Sequence, residues 1–509
     1  MPVHGPTDLP LIARVRRHGP RTSVIDQLGT FTYDDLLQAS ARVASALLAG
    51  REDLREERVA FLLTPGFSWV ATQWGIWRAG GIAVPLPRNA PRPELEYLIH
   101  DTGASTLVFE TSTDTVLETF AEVRGVRAIS YQELAAAPTA QLPQIAVERR
   151  AMILYTSGTT SRPKGVVTTH ANIAAQINSL VEAWEWSPDD RILLCLPLHH
   201  VHGIINVVGC ALWSGACCDM LPRFDGAAVW DRIEAGSLTL FMAVPTVYAL
   251  LIAGWEAASP QRRALLGLAC SNLRLMVSGS AALPVSMLQR WKQISGHILL
   301  ERYGMTEIGM ALSNPLHGER VPGSVGTPLP GVEVQLMQAD GKPAAPGTPG
   351  GIEVRGPSVF AEYWANPGAT REAFRDGWFL TGDTAVIENG KFRILGRTNI
   401  DILKTGGHKV SALEIEEALR QHPAIAECSI VGLPDDEWGE RVAAAVVLNQ
   451  DYTLDLLSLR TWARELLAVH KLPSRLLILD ALPRNAMGKV VKPTLAPLFQ
   501  TQESTNLTG

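Results

Sequence analysis

One stretch of the chain, at positions 155–165, concentrates residue types that bind phosphate. It reads YTSGTTSRPKG and follows an apolar run at 151–154 that predicts a buried strand. Its glycines let backbone N–H groups approach an anion, its hydroxyls donate to phosphate oxygens, and Lys164 adds a positive charge. Pro163 and Gly165 flank this lysine, whereas a Walker loop needs Gly-Lys followed by Ser or Thr. The stretch therefore predicts a phosphate-binding loop of another type, with a polar turn between a strand and a helix as the alternative.

Three later loops place polar residues directly after predicted strands. The strands are expected at 191–198, 240–244, 273–277 and 297–300, and the loops at 197–203, 278–284 and 301–307. Because ligands of parallel sheets bind beyond the carboxyl ends of the strands, these loops should surround one site. His199, His200 and His202 in the first loop could suggest a metal, but no carboxylate or cysteine stands at zinc-ligand spacing. A zinc site is therefore not expected there.

The elements that must position these loops follow an α/β pattern. Between about 20 and 150, apolar strand-like runs alternate with amphipathic runs, which predicts parallel βαβ units with helices on both faces. Trp69, Trp74 and Trp77 lie in a helix predicted at 67–78 and are interpreted as core residues rather than a cofactor-binding cluster. Beyond 325, short strands broken by Gly and Pro predict a smaller antiparallel subdomain.

The C-terminal part of the chain predicts a separate α+β domain. Ser411 and Glu414 have the spacing of a capping box that begins a helix reaching to about 421. Strands at 426–431 and 441–448 and a helix at 456–469 should follow. The predicted fold class is α/β: a large N-terminal domain of doubly wound βαβ sheets with the antiparallel subdomain, residues 1–396, and a small mobile C-terminal α+β domain, residues 397–509.

Composition narrows the class of protein. A chain of 509 residues is too long for one core and should hold two or more domains. Its net charge of −6 provides no basic field for nucleic acid. Six cysteines without a Cys-x-x-Cys pair indicate reduced thiols and a cytoplasmic location, with a short organellar presequence left open. The longest uncharged run, 203–218, is too short to span a bilayer, so no membrane span is expected.

Several motifs occur in order along nearly the whole chain. They are the loop at 155–165, Tyr303-Gly304-Met305-Thr306-Glu307, Thr381-Gly382-Asp383, Gly396-Arg397, and PRNAMGK at 483–489. Through them the chain resembles the adenylate-forming superfamily, which contains acyl-CoA synthetases, luciferases and the adenylation domains of peptide synthetases. Within that superfamily, the sequence segments 301–312 and 323–331 are most similar to malonyl-CoA synthetases, especially those of the mitochondrial type.

The resemblance implies an AMP-forming acyl-CoA synthetase that uses ATP, Mg²⁺ and coenzyme A. A carboxylate attacks the α-phosphate of ATP to give an acyl-adenylate and pyrophosphate, and the thiol of coenzyme A then displaces AMP. Because the phosphates repel a carboxylate nucleophile, such a site must neutralise charge and align the attack. The small domain rotates between the two steps, and its pivot here would be Asn399 or Asp401.

The resemblance also implies roles for individual residues. Lys489 would bridge the acyl carboxylate and the α-phosphate, and Glu307 would hold Mg²⁺, with His200 and Thr306 completing the catalytic set. The ATP-binding residues would be Thr156, Ser157, Gly158, Thr159, Thr160, Lys164, Gly279, Ser280, Ala281, Tyr303, Gly304, Thr306, Asp383 and Arg397, with Asp383 on the ribose and 279–281 and Tyr303 around the adenine. The acyl pocket would contain His200, His202, Leu250 and Arg302. Gly406 and Gly407 would line the tunnel for coenzyme A, or else form a helix-capping loop.

Two positions depart from the resemblance. Ser161 stands where the phosphate loop usually has glycine, and a positive φ there would cost about 1–3 kcal/mol. Leu250 stands two residues after the tyrosine of Pro-Thr-x-Tyr, where malonyl-type relatives carry Arg or Lys for the distal carboxylate. A carboxylate buried there without a partner would cost about 2–5 kcal/mol, which favours a monocarboxylic, fatty-type acid. Malonate or methylmalonate is the alternative, with Arg223, Arg302 or a histidine as the replacement.

Other classes of protein differ in what they would bind. An adenylation enzyme could load a carrier protein in trans instead of coenzyme A. A non-catalytic sensor of acyl groups or nucleotides is disfavoured because Lys164, Glu307, Asp383 and Lys489 occur together. A luciferase-like oxygenase would need a luciferin, which no residue pattern indicates, and no motif indicates nucleic-acid binding. The expected partners are a small-molecule carboxylic acid, ATP and coenzyme A; the oligomeric state is not predicted.

Overall fold

The computed structural model describes residues 9–110, 125–156, 163–435, 438–484 and 490–499. Within them the α-helices are α1 Pro10–Val15, α2 Tyr33–Leu48, α3 Phe67–Arg78, α4 Arg92–Thr102, α5 Tyr131–Ala136, α6 His170–Ala183, α7 Cys210–Ser214, α8 Gly226–Glu234, α9 Pro245–Glu256, α10 Pro260–Ser271, α11 Val285–Ser295, α12 Pro367–Glu372, α13 Ala412–Leu419 and α14 Leu456–Ala463. A π-helix spans His202–Gly209, and 3₁₀ turns span Val469–Lys471 and Lys492–Thr494.

The strands alternate with helices in the first part of the chain and follow one another in the later part. They are β1 Thr22–Asp26, β2 Gly29–Thr32, β3 Arg58–Leu62, β4 Ile82–Pro85, β5 Thr106–Phe109, β6 Arg127–Ser130, β7 Arg150–Thr156, β8 Lys164–Thr169, β9 Arg191–Leu194, β10 Cys217–Met220, β11 Leu240–Ala243, β12 Leu275–Ser278, β13 Leu300–Met305, β14 Gly309–Ser313, β15 Thr327–Pro328, β16 Glu333–Met337, β17 Gly350–Arg355, β18 Glu362–Tyr363, β19 Phe374–Arg375, β20 Trp378–Glu388, β21 Lys391–Arg397, β22 Ile402–Thr405, β23 His408–Ser411, β24 Ile425–Asp435, β25 Gly439–Leu448 and β26 Arg475–Ile478.

The first sheet carries the predicted phosphate loop. Its order is β18-β8-β7-β4-β3-β5-β6, parallel from β7 to β6 and antiparallel at β8 and β18. The helix α3 packs beside it and is buried along its length, including Trp69, Trp74 and Trp77, which agrees with their interpretation as core residues. Gly75 lets α2 and α3 approach, because a Cβ there would lie 2.4 Å from Cγ1 of Val43.

The second sheet gathers the other predicted loops. Its order is β15-β14-β13-β12-β11-β9-β10-β1-β2, with parallel pairing from β13 through β12, β11, β9 and β10 to β1. The segment 301–307, predicted as a loop, is mostly strand: β13 runs to Met305 and pairs antiparallel with β14. Gly304 permits this tight pairing, since a Cβ there would lie 2.1 Å from the carbonyl oxygen of Gly309.

Two smaller sheets complete the described part of the chain. The third has the order β16-β17-β20-β19 with β21 on β20 and is antiparallel, as predicted for the region beyond 325. The fourth has the order β23-β22-β25-β24, and β26 joins β25 in parallel. The apolar cluster that links the first three sheets ends at Phe392, whereas two further clusters lie entirely within 403–499. A large α/β part with a small C-terminal α+β part is the predicted fold class.

Some predicted elements end elsewhere than expected. The strand predicted at 191–198 stops at Leu194, because Pro197 has no N–H for a continued ladder. The helix predicted at 456–469 stops at Ala463, although apolar residues continue; Leu466 and Val469 are exposed. Only half of the predicted capping box forms: Ser411 accepts from the N–H of Glu414, whose carboxylate instead binds Nζ of Lys471.

Within the described ranges, no helix has both the length and the apolar character needed to cross a membrane.

Candidate active site

The predicted phosphate loop lies at the end of a β-hairpin. Thr156 at the end of β7 pairs with Lys164 at the start of β8, so the chain reverses direction between them. The alternative interpretation, a turn between a strand and a helix, is therefore wrong. The predicted phosphate ligands Ser157, Gly158, Thr159 and Thr160, together with the departure Ser161, lie outside the described residues.

Tyr363 lies between Lys164 and Glu307. Its hydroxyl donates to Oε1 of Glu307 across 3.0 Å, and Nζ of Lys164 lies 5.2 Å from the centroid of its ring. Glu307 is buried, and this burial raises its pKa, which the hydrogen bond from Tyr363 partly opposes. No local motif pointed to Tyr363, because the contact depends on the pairing of β18 with β8.

Asp383 is held by two of the residues predicted to bind the nucleotide. The hydroxyl of Tyr303 donates to its Oδ2 across 2.6 Å, and Nε of Arg397 lies 2.9 Å from its Oδ1. The pairing of β20 with β21 sets Asp383 opposite Arg397, and Arg397 also donates to the carbonyl of Thr381. Burial and the nearby carboxylate raise the pKa of Tyr303, which keeps its hydroxyl protonated as a donor.

Ser280, His202 and Arg302 meet at the ends of neighbouring strands. Oγ of Ser280 lies 3.3 Å from Nδ1 of His202 and accepts from Nη2 of Arg302 across 3.2 Å. Ser280 has a left-handed backbone with φ of 69°, an uncommon conformation for a residue with a side chain. Gly279 is required beside it, since a Cβ there would lie 2.5 Å from Cζ of Arg302. Ser280, predicted near the adenine, thus also touches two residues of the predicted acyl pocket.

Arg302 is a buried cation. Its side chain is 3% exposed, and burial lowers its pKa to about 9, so it stays charged at neutral pH. Its Nε is buried and has no hydrogen-bond partner among the described residues, and none of their carboxylates forms an ion pair with it. The site thus contains a positive charge that the described part of the protein does not neutralise.

The other predicted residues of the acyl and nucleotide pockets differ in exposure. His200 is half-buried with its ring 4.1 Å from that of His199, whose pKa burial lowers to about 4. Thr306 is half-buried in the turn between β13 and β14, whereas Ala281 is exposed. Leu250 is 56% exposed, and Arg223 is exposed as well. Leu250 is therefore not enclosed by the described part of the protein.

Gly406 and Gly407 form the two-residue turn of the hairpin between β22 and β23. Thr405 pairs with His408 across it, and the two glycines have φ of 54° and 79°. Positive φ at both positions is typical of a type I′ turn, which explains why both are glycine. The predicted alternative, a helix-capping loop, is wrong because the turn connects two strands.

The segment 398–401 connects the third sheet to the fourth. Asp401 accepts from the backbone N–H of Arg397 across 2.9 Å, and Nζ of Lys492 lies 2.6 Å from its other oxygen. Asn399 is exposed. Of the two predicted pivot residues, Asp401 is the one that contacts both the third sheet, through Arg397 at the end of β21, and the C-terminal 3₁₀ turn, through Lys492. Lys489 lies outside the described residues, between Arg484 and Lys492.

The chemistry of these groups fits a nucleoside triphosphate with its bound cation. Glu307 supplies a buried carboxylate of the kind that Mg²⁺ prefers, Lys164 supplies a charge at the phosphate hairpin, and Asp383 supplies an acceptor for ribose hydroxyls. A carboxylate at the hydroxyl of one tyrosine and an ammonium over the face of its ring could bind a cation and a phosphate next to each other.

Comparison with known proteins identifies the family over most of the chain. Residues 11–364 match the family of AMP-binding enzymes, and residues 414–489 match the AMP-binding enzyme C-terminal domain. The mitochondrial malonate–CoA ligase ACSF3 of Bos taurus is 46% identical over 95% of this chain and 89% of its own length. A malonate–CoA ligase of Arabidopsis thaliana is 40% identical over 93% of this chain and 85% of its own length.

Solved structures of acyl-CoA synthetases have the same fold as this chain. ATP-bound MatB from Rhodopseudomonas palustris superimposes with a TM-score of 0.89 at 34% identity, covering 97% of this chain and 99% of MatB. The o-succinylbenzoate CoA synthetase of Bacillus subtilis, in complex with ATP and a magnesium ion, has a TM-score of 0.84 at 27% identity, covering 96% and 99%. The chain belongs to the family of AMP-binding, adenylate-forming enzymes and is an AMP-forming acyl-CoA synthetase, an acid–thiol ligase that uses ATP, Mg²⁺ and coenzyme A.

Proposed function

We propose that this acyl-CoA synthetase acts on malonate or a similarly short dicarboxylic acid. This is the alternative that the sequence left open beside a monocarboxylic, fatty-type acid. One observation carries the proposal: Arg302 is buried beside Ser280 and His202 and forms no ion pair with a carboxylate of the described residues. The names of the bovine and Arabidopsis relatives, both malonate–CoA ligases, support it.

A buried guanidinium needs an anion or several hydrogen-bond acceptors. Removing a charge from water costs several kcal/mol, and attraction to a well-placed opposite charge offsets that cost. Arg302 donates from Nη2 to Ser280, but its Nε has no acceptor among the described residues. The distal carboxylate of malonate would supply both the charge and the acceptor. A monocarboxylic acid would leave the cation buried and uncompensated.

The exposure of Leu250 weakens the objection to a dicarboxylic acid. The predicted loss of about 2–5 kcal/mol applies to a carboxylate that is buried without a partner. Leu250 is 56% exposed, so a carboxylate near it would remain in contact with water. Arg302 is one of the residues that could replace the Arg or Lys missing at position 250, and it is buried at the ends of the strands.

The roles of the remaining residues follow the two half-reactions. In adenylation, Lys489 neutralises charge between the acyl carboxylate and the α-phosphate, while Lys164 and the hydroxyls of 156–160 hold the leaving pyrophosphate. Glu307 would hold Mg²⁺, which supplies further neutralisation of the phosphates when bound. Asp383, oriented by Tyr303 and Arg397, accepts from the ribose. In thioester formation, the small domain turns about Asp401 and brings the 406–407 turn to the coenzyme A tunnel.

The first test is the choice of acid by the wild-type protein. Coenzyme A-dependent release of AMP is measured with acetate, butyrate, octanoate, palmitate, malonate and methylmalonate. We expect kcat/KM for malonate or methylmalonate to exceed that for butyrate at least about tenfold, which corresponds to about 1.4 kcal/mol. A preference for butyrate or octanoate would contradict the proposal and favour the monocarboxylic alternative.

The acyl acceptor and the location of the protein are tested separately. A carrier protein loaded in trans stays a prediction, and acyl transfer to a purified carrier compared with free coenzyme A would separate the two acceptors. The predicted cytoplasmic location likewise stays a proposal, with mitochondria, named for the bovine relative, as the alternative. Cell fractionation with an antibody against the protein would distinguish them.

A further inference from the structure

We propose that Tyr363 is a positioning residue, which holds the magnesium-binding carboxylate of Glu307 and the phosphate-binding ammonium of Lys164 in register. This inference rests on the proposed roles of those two residues. The short segment 358–364, which we call the strap, ties the turn after β13 to the strand after the phosphate loop, and Tyr363 is the side chain of the strap that reaches both groups.

The strap is fixed at both ends by its backbone. At one end, the N–H of Phe360 donates to the carbonyl of Glu307 across 2.7 Å. At the other end, Tyr363 pairs with Val166 of β8, and the N–H of Trp364 donates to the carbonyl of Gly165 across 2.7 Å. The position of Tyr363 relative to Glu307 and Lys164 is therefore set by main-chain hydrogen bonds.

The tyrosine uses two different parts of its side chain. Its hydroxyl donates to Oε1 of Glu307, which fixes the orientation of the carboxylate that would hold the cation. The face of its ring attracts the ammonium of Lys164, whose Nζ lies 5.2 Å from the ring centroid. A phenylalanine could replace the second contact but not the first, and an aliphatic residue could replace neither.

The ring itself has little freedom to move. Tyr363 is 9% exposed, and its ring centroid lies 4.8 Å from that of Phe360, which belongs to the same strap. Phe360 in turn stacks on Phe374 and packs edge-on against Phe379. This aromatic cluster keeps the hydroxyl of Tyr363 at Glu307. The packed ring therefore cannot move to compensate when the hydroxyl is removed.

Two substitutions separate the two contacts. Tyr363→Phe removes the hydroxyl and keeps the ring, and Tyr363→Leu removes both. Binding of ATP is measured by calorimetry, once with Mg²⁺ and once with a chelator, so that the readout does not depend on turnover. We expect Tyr363→Phe to weaken the binding of magnesium-ATP about tenfold and to leave metal-free ATP within about twofold of wild type. Tyr363→Leu should also weaken metal-free ATP, by about three- to fivefold.

A matched control removes a buried tyrosine hydroxyl elsewhere. The hydroxyl of Tyr33 donates to the carbonyl of Ala216 across 2.6 Å, in another part of the large domain. Tyr33→Phe should lower stability without changing either affinity.

As a kinetic readout, the Mg²⁺ concentration that gives half-maximal ATP–pyrophosphate exchange should rise in Tyr363→Phe, while the maximal rate at saturating Mg²⁺ stays within about threefold of wild type.

Two outcomes would overturn the proposal. One is a Tyr363→Phe variant whose binding of magnesium-ATP equals that of wild type. The other is an equal loss of affinity with and without Mg²⁺, which would indicate a general structural role. Failure of the proposed function is distinguishable, because it would appear as the wrong acid in the substrate panel, whereas ATP binding needs no acid.

Discussion

Lys489 is the residue on which adenylation should depend most. Lys489→Ala removes the positive charge that we propose lies between the acyl carboxylate and the α-phosphate, and the loss of one pre-organised charge contact typically lowers the rate about a hundredfold or more. We expect ATP–pyrophosphate exchange to be nearly abolished, while thioester formation from supplied acyl-adenylate stays near the wild-type rate. Lys471→Ala, which removes a lysine of the same C-terminal part that pairs with Glu414, is the control. An equal loss in both half-reactions would contradict this role for Lys489.

Glu301, the neighbour of Arg302, should make stability depend on pH. Burial raises its pKa from 4.5 to about 8, so the folded protein keeps a proton that the unfolded chain releases above its lower pKa. Stability should therefore fall as the pH rises from about 5 to 8, by at most about 1.4 kcal/mol per pH unit. Glu301→Gln removes this proton release and can still accept from the N–H of Gly323.

Urea unfolding of wild type and Glu301→Gln at several pH values checks this prediction. The difference between the two free energies of unfolding should grow steadily with pH in favour of the variant. A difference that is constant between pH 5 and 8 would show that Glu301 is ionised in the folded protein.

Residues in motifs could be predicted from the sequence, whereas residues that act through tertiary pairing could not. Glu307, Asp383 and Lys164 stand in motifs that imply their chemistry. Tyr363 has no such signal, because only the pairing of β18 with β8 brings it to Glu307. The sequence indicates Arg302 as a residue of the acyl pocket but does not predict its burial, because a charged residue in a predicted loop is usually exposed.

At the scale of elements, a buried ion cluster holds the 3₁₀ turn after Lys489 against α13. Nζ of Lys492 lies 2.6 Å from Asp401 and 2.7 Å from Glu416, and all three side chains are largely buried. Lys492→Met would leave Asp401 buried without its cation, whereas Glu416 would keep its ion pair with Arg420. We expect the C-terminal part to lose about 3–5 kcal/mol of stability, because removal of one partner leaves uncompensated buried charge.

Calorimetric unfolding of Lys492→Met measures this loss, and Lys492→Arg should restore part of it. Since Asp401 also accepts from the N–H of Arg397, the same variant should disturb the connection at 398–401. A loss below about 1 kcal/mol would show that the cluster is solvated and weak.

Elements that local sequence determines were predicted closely, whereas elements that depend on pairing with another strand were not. The helix α3 was predicted at its observed bounds, because its largely apolar run of 12 residues is too long for a typical strand. The strand β13 was predicted as a loop, because Gly304 and polar residues obscure it until β14 is available as a partner. The helix α14 ends before its apolar pattern does: Leu466 and Val469 are exposed, although Leu467 between them is buried.

At the scale of the molecule, the chain combines a large part, in which we propose that the nucleotide and the acid bind, with a small part whose sequence includes Lys489. No apolar cluster of the described residues crosses the segment 393–402. We propose the boundary at 396/397 and rotation of the small part about Asp401. The carboxylate of Glu417 accepts from the N–H of Val285 at the start of α11, so at least one polar contact joins the two parts and would have to break on rotation.

The choice between a dicarboxylic and a monocarboxylic acid tests the central claim. The most direct measurement is the ratio of kcat/KM for malonate to that for butyrate in wild type, Arg302→Met and Arg320→Met. Arg320 is a matched control: burial also lowers its pKa, but it donates to backbone carbonyls, among them that of Ile298. We expect Arg302→Met to lower the ratio about a hundredfold or more, because malonate alone loses its charged partner, and Arg320→Met to leave it unchanged. A ratio that Arg302→Met does not change would contradict the account.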